Sequence, residues 1–207
     1  MKKLHALLIG NGETLSPAFL RALAGKASAV FAADGGAVQC ARAHVVPQAV
    51  IGDLDSVPPA LKRKWADKLI YVSTQQNNDL EKALRYLVKQ GFTSCTLAGF
   101  GGGRADFAVG NLLTLLRFAA KMNLCAVSAD WTLYPVIKST RLPCKKGKRV
   151  SLIAVKNCRG VTLKGLVYSL QNASVALGST RTLSNVARAN TFELSLKSGA
   201  LLVCTEN

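Results

Sequence analysis

The chain has 207 residues, of which 49% are hydrophobic and 18% charged, a composition typical of a globular protein with one large domain or two small ones. Its 27 basic and 11 acidic residues give a formal net charge of +16. The basic residues are not interleaved with aromatic ones, so this charge favours a solvated or phosphate-attracting surface over dedicated nucleic-acid binding. The six cysteines form no Cys-x-x-Cys pair and the two histidines are far apart, which argues against a disulfide framework and a zinc site.

The first ten residues begin basic and then turn apolar, as a signal peptide does. The apolar run is short, and the Gly-Asn-Gly-Glu sequence at residues 10–13 interrupts it. A buried first strand is therefore the better interpretation. No apolar stretch is long enough to span a membrane, and we expect a cytoplasmic protein.

Short apolar runs alternate with helical patterns through the first two-thirds of the chain. The predicted strands are residues 4–9, 29–33, 49–51, 69–73, 95–98 and 124–128. The predicted helices are residues 17–23, 37–43, 58–65, 79–89 and 106–121. Ser16 is expected to cap the first helix and Asp79 the fourth. This alternation predicts an α/β fold, a Rossmann-like parallel sheet with helices on both faces.

The pattern changes near Pro143. Beyond it, short strand-like runs are separated by turn residues, and no helical pattern is evident. The runs are residues 150–155, 161–163, 167–170, 174–177, 191–196 and 201–204. We therefore expect an α/β domain at residues 1–142 and a smaller all-β sandwich domain at residues 143–207.

Six of the eleven acidic residues lie in four short clusters, and each cluster follows a predicted strand. The clusters are Ala33-Asp34-Gly35-Gly36, Gly52-Asp53-Leu54-Asp55-Ser56, Asn78-Asp79-Leu80-Glu81-Lys82 and Gly102-Gly103-Arg104-Ala105-Asp106. The carboxyl ends of parallel strands lie at one edge of a sheet, where ligands bind. Carboxylates beside glycine-rich turns are suited to hold Mg²⁺ against a polyphosphate.

Each cluster taken alone also has an ordinary explanation as a turn, a helix cap or a surface ion pair. The pair Asp53 and Asp55 is the hardest to explain in that way, because two neighbouring carboxylates repel unless a cation or strong donors lie between them. The chain has no P-loop motif and no dinucleotide-binding glycine motif followed by an acid. Residues 99–103 and Arg104 can instead offer backbone N–H groups and a guanidinium to phosphates.

The clusters, in this order, resemble those of the thiamine pyrophosphokinase family. The matching motifs are A-D-G-G at 33–36, G-D-L-D-S at 52–56, N-D-x-E-K-A-L at 78–84 and G-G-R-x-D at 102–106, followed by Asn111. Segments at 150–152, 165–170, 183–185 and 199–203 also resemble the family's β domain. The resemblance implies transfer of a diphosphate from ATP to the hydroxyl of thiamine, giving thiamine diphosphate and AMP. It also implies a homodimer whose active site is completed across the interface.

The resemblance assigns roles to individual positions. The expected catalytic residues are Asp53, Asp55, Asp79 and Asp106, and the expected Mg²⁺ ligands are Asp53, Asp55 and Asp79. The expected nucleotide-binding residues are Asp34, Gly35, Gly36, Lys82, Gly102, Gly103 and Arg104. The expected thiamine-binding residues are Gln75, Ser184 and Asn185. The reacting hydroxyl must lose a proton, for which Asp79 and Asp106 are both candidate acceptors.

The chain departs from the family's usual pattern at two positions that bear on the acceptor. Phe107 stands where the family usually has histidine, and Val186 stands where it often has an acid. A diphosphokinase acting on another alcohol, such as a hydroxymethylpterin, is therefore one alternative. A basic nucleic-acid-binding module is an alternative of a different class, and it predicts binding that falls steeply with salt.

Overall fold

The computed structural model describes residues 4–207, so residues 1–3 of the basic N-terminal segment lie outside the described part. The chain divides into two compact units, the first ending at Ser128 and the second beginning at Ala129. The first is an α/β unit and the second consists of β-strands, which confirms the predicted fold class.

The first unit is built around a six-stranded parallel sheet with the order β4-β3-β2-β1-β5-β6. Its strands are β1 (His5–Ile9), β2 (Ala29–Ala33), β3 (Ala49–Gly52), β4 (Leu69–Tyr71), β5 (Ser94–Ala98) and β6 (Asn123–Val127). Its helices are α1 (Pro17–Ala24), α2 (Gly36–Arg42), α3 (Pro59–Lys64), α4 (Asp79–Lys89) and α5 (Ala105–Phe118), with a 3-10 turn at Ala66–Lys68.

Helices cover both faces of this sheet. Successive side chains of a strand point to opposite faces, so neighbouring residues of one strand contact different helices. On β2, Ala32 lies in a core cluster with Leu20 of α1 and Cys40 of α2. The neighbouring Phe31 makes edge-to-face contacts with Tyr86 of α4 and with Phe92. Burial on both faces explains why the strands read as continuous apolar runs in the sequence.

The second unit consists of seven strands, all paired antiparallel. They are β7 (Trp131–Val136), β8 (Thr140–Pro143), β9 (Arg149–Lys164), β10 (Leu170–Val175), β11 (Asn185–Val186), β12 (Thr191–Ser195) and β13 (Ser198–Glu206). The long strand β9 belongs to two layers. Its first half pairs with β11 and β13, and its second half pairs with β10 and β12. Leu152, Leu163, Phe192 and Val203 meet in the core between them.

The division between the units lies earlier than the sequence predicts, because β7 and β8 belong to the second unit. The sequence also predicts two short strands, 150–155 and 161–163, where β9 is continuous, and it starts the last strand at residue 201 where β13 begins at Ser198. All six cysteines are free thiols. Within residues 4–207, no helix is both long and apolar enough to cross a membrane.

Candidate active site

A pocket of about 430 Å³ opens at the carboxyl edge of the parallel sheet. The strand order reverses at β1, which lies between β2 and β5, and such a switch point is where open α/β sheets bind their ligands. The loops after β1, β2 and β5 line the pocket at residues 10–12, 33–35, 99–100 and 102–104. The first turn of α4 contributes residues 78–80.

Three of the predicted carboxylates come together at this edge. Asp34, Asp53 and Asp55 each offer an oxygen, and the three oxygens lie within 4.8 Å of one another. Asp34 is only 4% exposed, and its Oδ1 has no hydrogen-bond partner among residues 4–207. A buried carboxylate oxygen without a donor is costly unless a cation compensates it, so this group suits a hard divalent ion such as Mg²⁺.

Unusual backbone angles bring these carboxylates together. Leu54 has a φ of 63°, which is strained for a branched residue, and its side chain is buried in the core between α1, α2 and the sheet. This turn places the flanking Asp53 and Asp55 on the same side. Asp34 has a φ of 41°, and a Cβ on Gly52 would lie only 2.9 Å from the Asp34 Cβ. Glycine at position 52 therefore permits the close approach of the loops after β2 and β3.

The electrostatics of Asp34 differ from those of Asp53. Burial raises the pKa of the Asp34 carboxyl, the neighbouring carboxylates of Asp79 and Asp55 raise it further, and the nearby Ser56 hydroxyl lowers it in part. The pKa of Asp53 is held below its ordinary value, chiefly by the hydrogen bond from Lys82. The group of three carboxylates thus contains one that lacks compensating positive charge and one that a cation already pairs.

Lys82 of α4 links two of the predicted acids. Its ammonium lies 2.9 Å from Asp53 Oδ2 and 3.0 Å from Asp79 Oδ1, and its side chain is 2% exposed. Burial alone would lower the pKa of Lys82, but these two carboxylates raise it above its ordinary value. Gln75 also donates to Asp53 Oδ2, over 3.3 Å. Asp79 lines the pocket, but it does not belong to the group of three neighbouring carboxylates. The sequence predicts Asp79 as the third metal ligand, whereas the structure has Asp34 in that place.

Asn78, rather than Asp79, caps α4. Its Oδ1 accepts a hydrogen bond from Glu81 N over 2.9 Å, so the Asp79 side chain is left for the pocket. The Asn78 amide donates to Asn111 Oδ1 over 3.2 Å, and Asn111 donates to Phe100 O over 3.0 Å. Asn111 of α5 therefore joins the start of α4 to the loop after β5. Both asparagines line the pocket.

Glu81, the remaining acid of the third cluster, pairs with two arginines. It is 5% exposed and pairs with Arg85 over 2.7 Å and with Arg117 of α5 over 2.8 Å. Burial would raise the pKa of Glu81, but the hydrogen bonds from Arg117 and Arg85 outweigh it and hold that pKa below its ordinary value. Glu81 thus fastens α4 to α5.

The glycine-rich loop after β5 ends at the N-terminus of α5. Gly102 and Gly103 have φ values of 67° and 62°, a conformation that glycine adopts without strain. Arg104 lines the pocket, stacks over the Phe107 ring with 4.5 Å from Cζ to the centroid, and pairs with Asp106 over 2.6 Å. That pairing lowers the pKa of Asp106, which is not among the residues lining the pocket.

The glycines of the first cluster are sterically required. A Cβ on Gly35 would lie 2.8 Å from the Asn11 Nδ2, and one on Gly36 would collide with the backbone of Ile9. Glycine at these positions lets the start of α2 approach the loop after β1. Gly35 therefore forms part of the pocket wall beside Asp34.

The two predicted thiamine-binding residues of the second unit lie where β11 begins. Ser184 has a φ of 56°, and its N–H donates to Ser151 Oγ over 2.9 Å. Asn185 is 4% exposed. Its Oδ1 accepts from Tyr168 N over 3.0 Å, and its Nδ2 donates to Tyr168 O over 2.7 Å. Asn185 therefore holds the backbone at Tyr168 in place.

The sequence-based prediction of the site lacks the pocket residues of the loop after β1, which are Gly10, Asn11 and Gly12. The strand order would have indicated the loop after β1, because the switch point always involves the strand at which the order reverses. That order cannot be read directly from an alternating pattern of strands and helices.

The fold and the site together define an α/β protein with an acidic pocket at the carboxyl edge of its parallel sheet and a β-rich second unit. The family model for the thiamin pyrophosphokinase catalytic domain matches residues 20–127. The model for the thiamin pyrophosphokinase vitamin B1 binding domain matches residues 137–201. The chain therefore belongs to the thiamin pyrophosphokinase family.

Individual relatives agree with this assignment. The chain is 26% identical over 178 residues to a thiamine pyrophosphokinase of Bacillus subtilis, covering 82% of this chain and 83% of the relative. The crystal structure of thiamin pyrophosphokinase from Geobacillus thermodenitrificans superposes with a TM-score of 0.87 at 25% identity, covering 99% of this chain and 98% of the other. The Bacillus subtilis structure has the same fold, with a TM-score of 0.86 at 20% identity and coverage of 98% and 99%.

Proposed function

We propose that this enzyme transfers the diphosphate group of ATP to the hydroxyl of thiamine, forming thiamine diphosphate and AMP. The observation that carries the proposal is the match of both family domains, in order, to a chain whose first unit groups three carboxylates, of which Asp34 lines the pocket. In this reaction the hydroxyl oxygen bonds to the β-phosphorus, and the bond from that phosphorus to the α,β-bridging oxygen breaks. The hydroxyl proton passes to a base, and AMP leaves.

Asp34, Asp53 and Asp55 are the residues we assign to hold Mg²⁺. The donor set fits, because all three residues offer carboxylate oxygens and Asp34 has a buried oxygen without a hydrogen-bond donor. When bound, the ion would neutralise phosphate charge, which is the main requirement of phosphoryl-type transfer. Asp79 has the Lys82 ammonium 3.0 Å from its Oδ1, and we assign it a different role.

Asp79 is the better placed of the two candidate bases. It lines the pocket, whereas Asp106 does not. The Arg104 guanidinium also lowers the pKa of Asp106, which makes that carboxylate a weaker proton acceptor. We therefore expect Asp79→Asn to lower kcat by at least about a hundredfold, the usual size of a general-base contribution. Asp106→Asn should act mainly on KM for ATP, through Arg104.

Arg104 and the glycine-rich loop are assigned to the phosphates. The loop leads into the first turn of α5, where unpaired N–H groups favour an anion. Arg104 lies at the pocket wall with a 72% exposed side chain, so its guanidinium can turn from Asp106 to a phosphate. Lys82 is already paired with two carboxylates, and its role in this proposal is to position them.

The proposal also covers the residues that bind thiamine, the oligomeric state and the cellular compartment. Gln75 and the Ser184–Asn185 segment are assigned to thiamine, with Asn185 acting through the backbone that it holds. The resemblance to the family supports a homodimer with a shared active site, and we place the enzyme in the cytoplasm. The match of the vitamin B1 binding model to residues 137–201 favours thiamine over a pterin or a nucleic acid.

The reaction is tested with purified protein, ATP, Mg²⁺ and thiamine, with the products separated by chromatography. We expect thiamine diphosphate and AMP in equal amounts. ADP in place of AMP would indicate monophosphate transfer, and no product at millimolar thiamine would contradict the proposal. Hydroxymethylpterin as the acceptor is the matched control and should give no product.

The shared site is tested by mixing two inactive variants, Asp53→Asn and a Ser184 variant that has lost thiamine turnover. If each site of a two-fold dimer takes groups from both chains, random exchange should restore about a quarter of the sites. Light scattering should show a dimer before and after mixing. A dimer that regains no activity would contradict a site shared in this way, and a monomer would contradict the dimer itself.

A further inference from the structure

Gln39 is a buried amide in the middle of α2, and the residues between Gly36 and Cys40 are otherwise small or apolar. It is 5% exposed. Its Oε1 accepts a hydrogen bond from Leu15 N over 3.1 Å. Its Nε2 donates to Gly10 O and to Glu13 O, each over 2.8 Å. A single side chain therefore satisfies three backbone groups of the loop between β1 and α1.

This loop forms a wall of the pocket, through residues 10–12. It is held against the glycine-rich loop by the hydrogen bonds Gly10 N to Ala98 O, over 2.8 Å, and Gly12 N to Gly99 O, over 2.7 Å. A Cβ on Gly99 would lie 2.8 Å from the Gln39 Nε2. Gln39 thus lies directly beneath the contact between the two loops.

The direction of these hydrogen bonds has a consequence for an anionic ligand. The Gly10 and Glu13 carbonyl oxygens are turned onto the Gln39 amide. Carbonyl oxygens carry partial negative charge, and they would repel a phosphate if they faced the pocket. A buried donor that keeps both of them inward therefore makes the pocket wall more favourable to a polyphosphate.

We propose that Gln39 is a positioning residue for the nucleotide phosphates, acting through the loop at residues 10–13 and its contact with the glycine-rich loop. It does not line the pocket, so its effect is indirect. This inference rests on the proposed function, because it takes ATP as the ligand of the pocket. Nucleotide affinity should respond to Gln39, whereas thiamine affinity should not.

The test compares Gln39→Glu and Gln39→Met with the wild type. Gln39→Glu keeps the shape and the acceptor for Leu15 N but sets a carboxylate against two carbonyl oxygens, and Gln39→Met removes all three hydrogen bonds. We expect KM for ATP to rise roughly tenfold in both, with KM for thiamine unchanged. Calorimetric titration with α,β-methylene-ATP should show the same loss. Gln90→Met, at an exposed position after α4, is the matched control.

The outcomes separate this inference from the proposed function. If the wild type does not convert thiamine, the proposed function is contradicted, while the titration with the analogue still tests Gln39. If the wild type is active and both variants bind the analogue as tightly as it does, the inference is overturned. A lower melting temperature with both KM values unchanged would show a merely structural role and would also overturn it. Faster hydrogen exchange at Gly10 and Gly12, whose N–H groups join the two loops, in Gln39→Glu is the supporting result if Gln39→Met does not fold.

Discussion

The ammonium of Lys82 lies 2.9 Å from the Oδ2 of Asp53, and the Lys82 side chain is buried, with only 2% of its surface exposed. A second carboxylate, Asp79, lies 3.0 Å away on the other side. The two acids thus share one cation. This arrangement keeps the acidic edge of the pocket stable before any ligand arrives, because like charges at this separation would otherwise repel.

Lys82→Met should destabilise the metal-free protein by about 2 kcal/mol. Breaking a fully buried ion pair costs about 3–5 kcal/mol, and the cost is lower here because Asp79 is a third exposed. Denaturant unfolding in the presence of a chelator measures the change. Lys89→Met, at an exposed position of the same helix, should change little. Mg²⁺ should raise the melting temperature of Lys82→Met more than that of the wild type, and an equal rise would contradict the shared-cation argument.

Asp34→Asn should stabilise the metal-free protein and destabilise the Mg²⁺-loaded one relative to the wild type. The pKa of Asp34 is raised, first by burial, so its ionised form costs stability at every pH above that pKa. Asparagine removes the charge and tolerates the positive φ of this position. Each kcal/mol corresponds to about 2–4 °C in the melting temperature of a chain of this size.

The measurement for Asp34→Asn is thermal unfolding near neutral pH, with a chelator and then with Mg²⁺. The variant should melt at the higher temperature with the chelator and at the lower temperature with Mg²⁺, because only the wild type keeps all three carboxylates for the ion. The exposed Asp67→Asn is the control and should show no change of order. A variant that is less stable under both conditions would show that Asp34 is held by contacts other than a cation.

The sequence is sufficient to predict the α/β fold and the approach of Asp34, Asp53 and Asp55 to one another, because both follow from the position of polar residues after apolar strands. The sequence does not predict which carboxylates of the four clusters lie closest together in the site. Asp34 joins Asp53 and Asp55 with the help of the positive φ angles of Asp34 and Leu54, and those conformations have no signature in residue type. The role of Gln39 is similarly hidden, since a single glutamine in a helix is usually exposed.

The unit boundary was missed for a definable reason. Strand β7 contains Pro135, which pairs in register with Leu202, and proline within an apolar run argues against a strand. Asn157 and Gly160 lie between the predicted strands 150–155 and 161–163, and both residue types favour turns, so the sequence predicts two strands in place of β9. In the structure β9 continues through them with irregular pairing to β13, and Gly160 adopts a φ of 65°, as at a bulge.

Glu206 should make the second unit sensitive to acid. The Arg149 N–H and side chain, followed by Lys148, lower the pKa of Glu206 from its ordinary value of 4.5. Because the folded pKa is depressed, the stabilisation is present above the unfolded pKa and is lost as the pH falls through the folded one. Glu206→Gln should therefore be less stable than the wild type at neutral pH, and the difference should vanish in acid.

This pH dependence is measured by denaturant unfolding between about pH 3 and pH 7. Glu193→Gln is the matched control, because Glu193 is exposed and its nearest cation, Arg141, is 4.0 Å away. Its stability should follow that of the wild type across the range. A Glu206→Gln deficit that persists unchanged at the lowest pH would mean that packing, rather than charge, accounts for it.

Asn185→Ala should loosen the segment around Tyr168 in the second unit. The substitution removes the hydrogen bonds to Tyr168 N and O, but Tyr168 is 70% exposed, so water can replace part of them. We expect a loss of about 1–2 kcal/mol and faster hydrogen exchange at Tyr168. Gln171→Ala, which shortens an exposed polar side chain on β10, should lower the stability much less. Equal exchange rates at Tyr168 in variant and wild type would contradict the positioning role of Asn185.

Phe107→Leu should weaken ATP binding without affecting thiamine. The Arg104 guanidinium stacks over the Phe107 ring at 4.5 Å, and both residues line the pocket. An exposed cation–π contact contributes about 0.5–1 kcal/mol, so its loss should raise KM for ATP by roughly two- to fivefold. Val109→Ala, on an exposed part of the same helix, is the control for helix stability. A change in KM for thiamine alone would place Phe107 at the acceptor instead, where its departure from the family's usual histidine would set specificity.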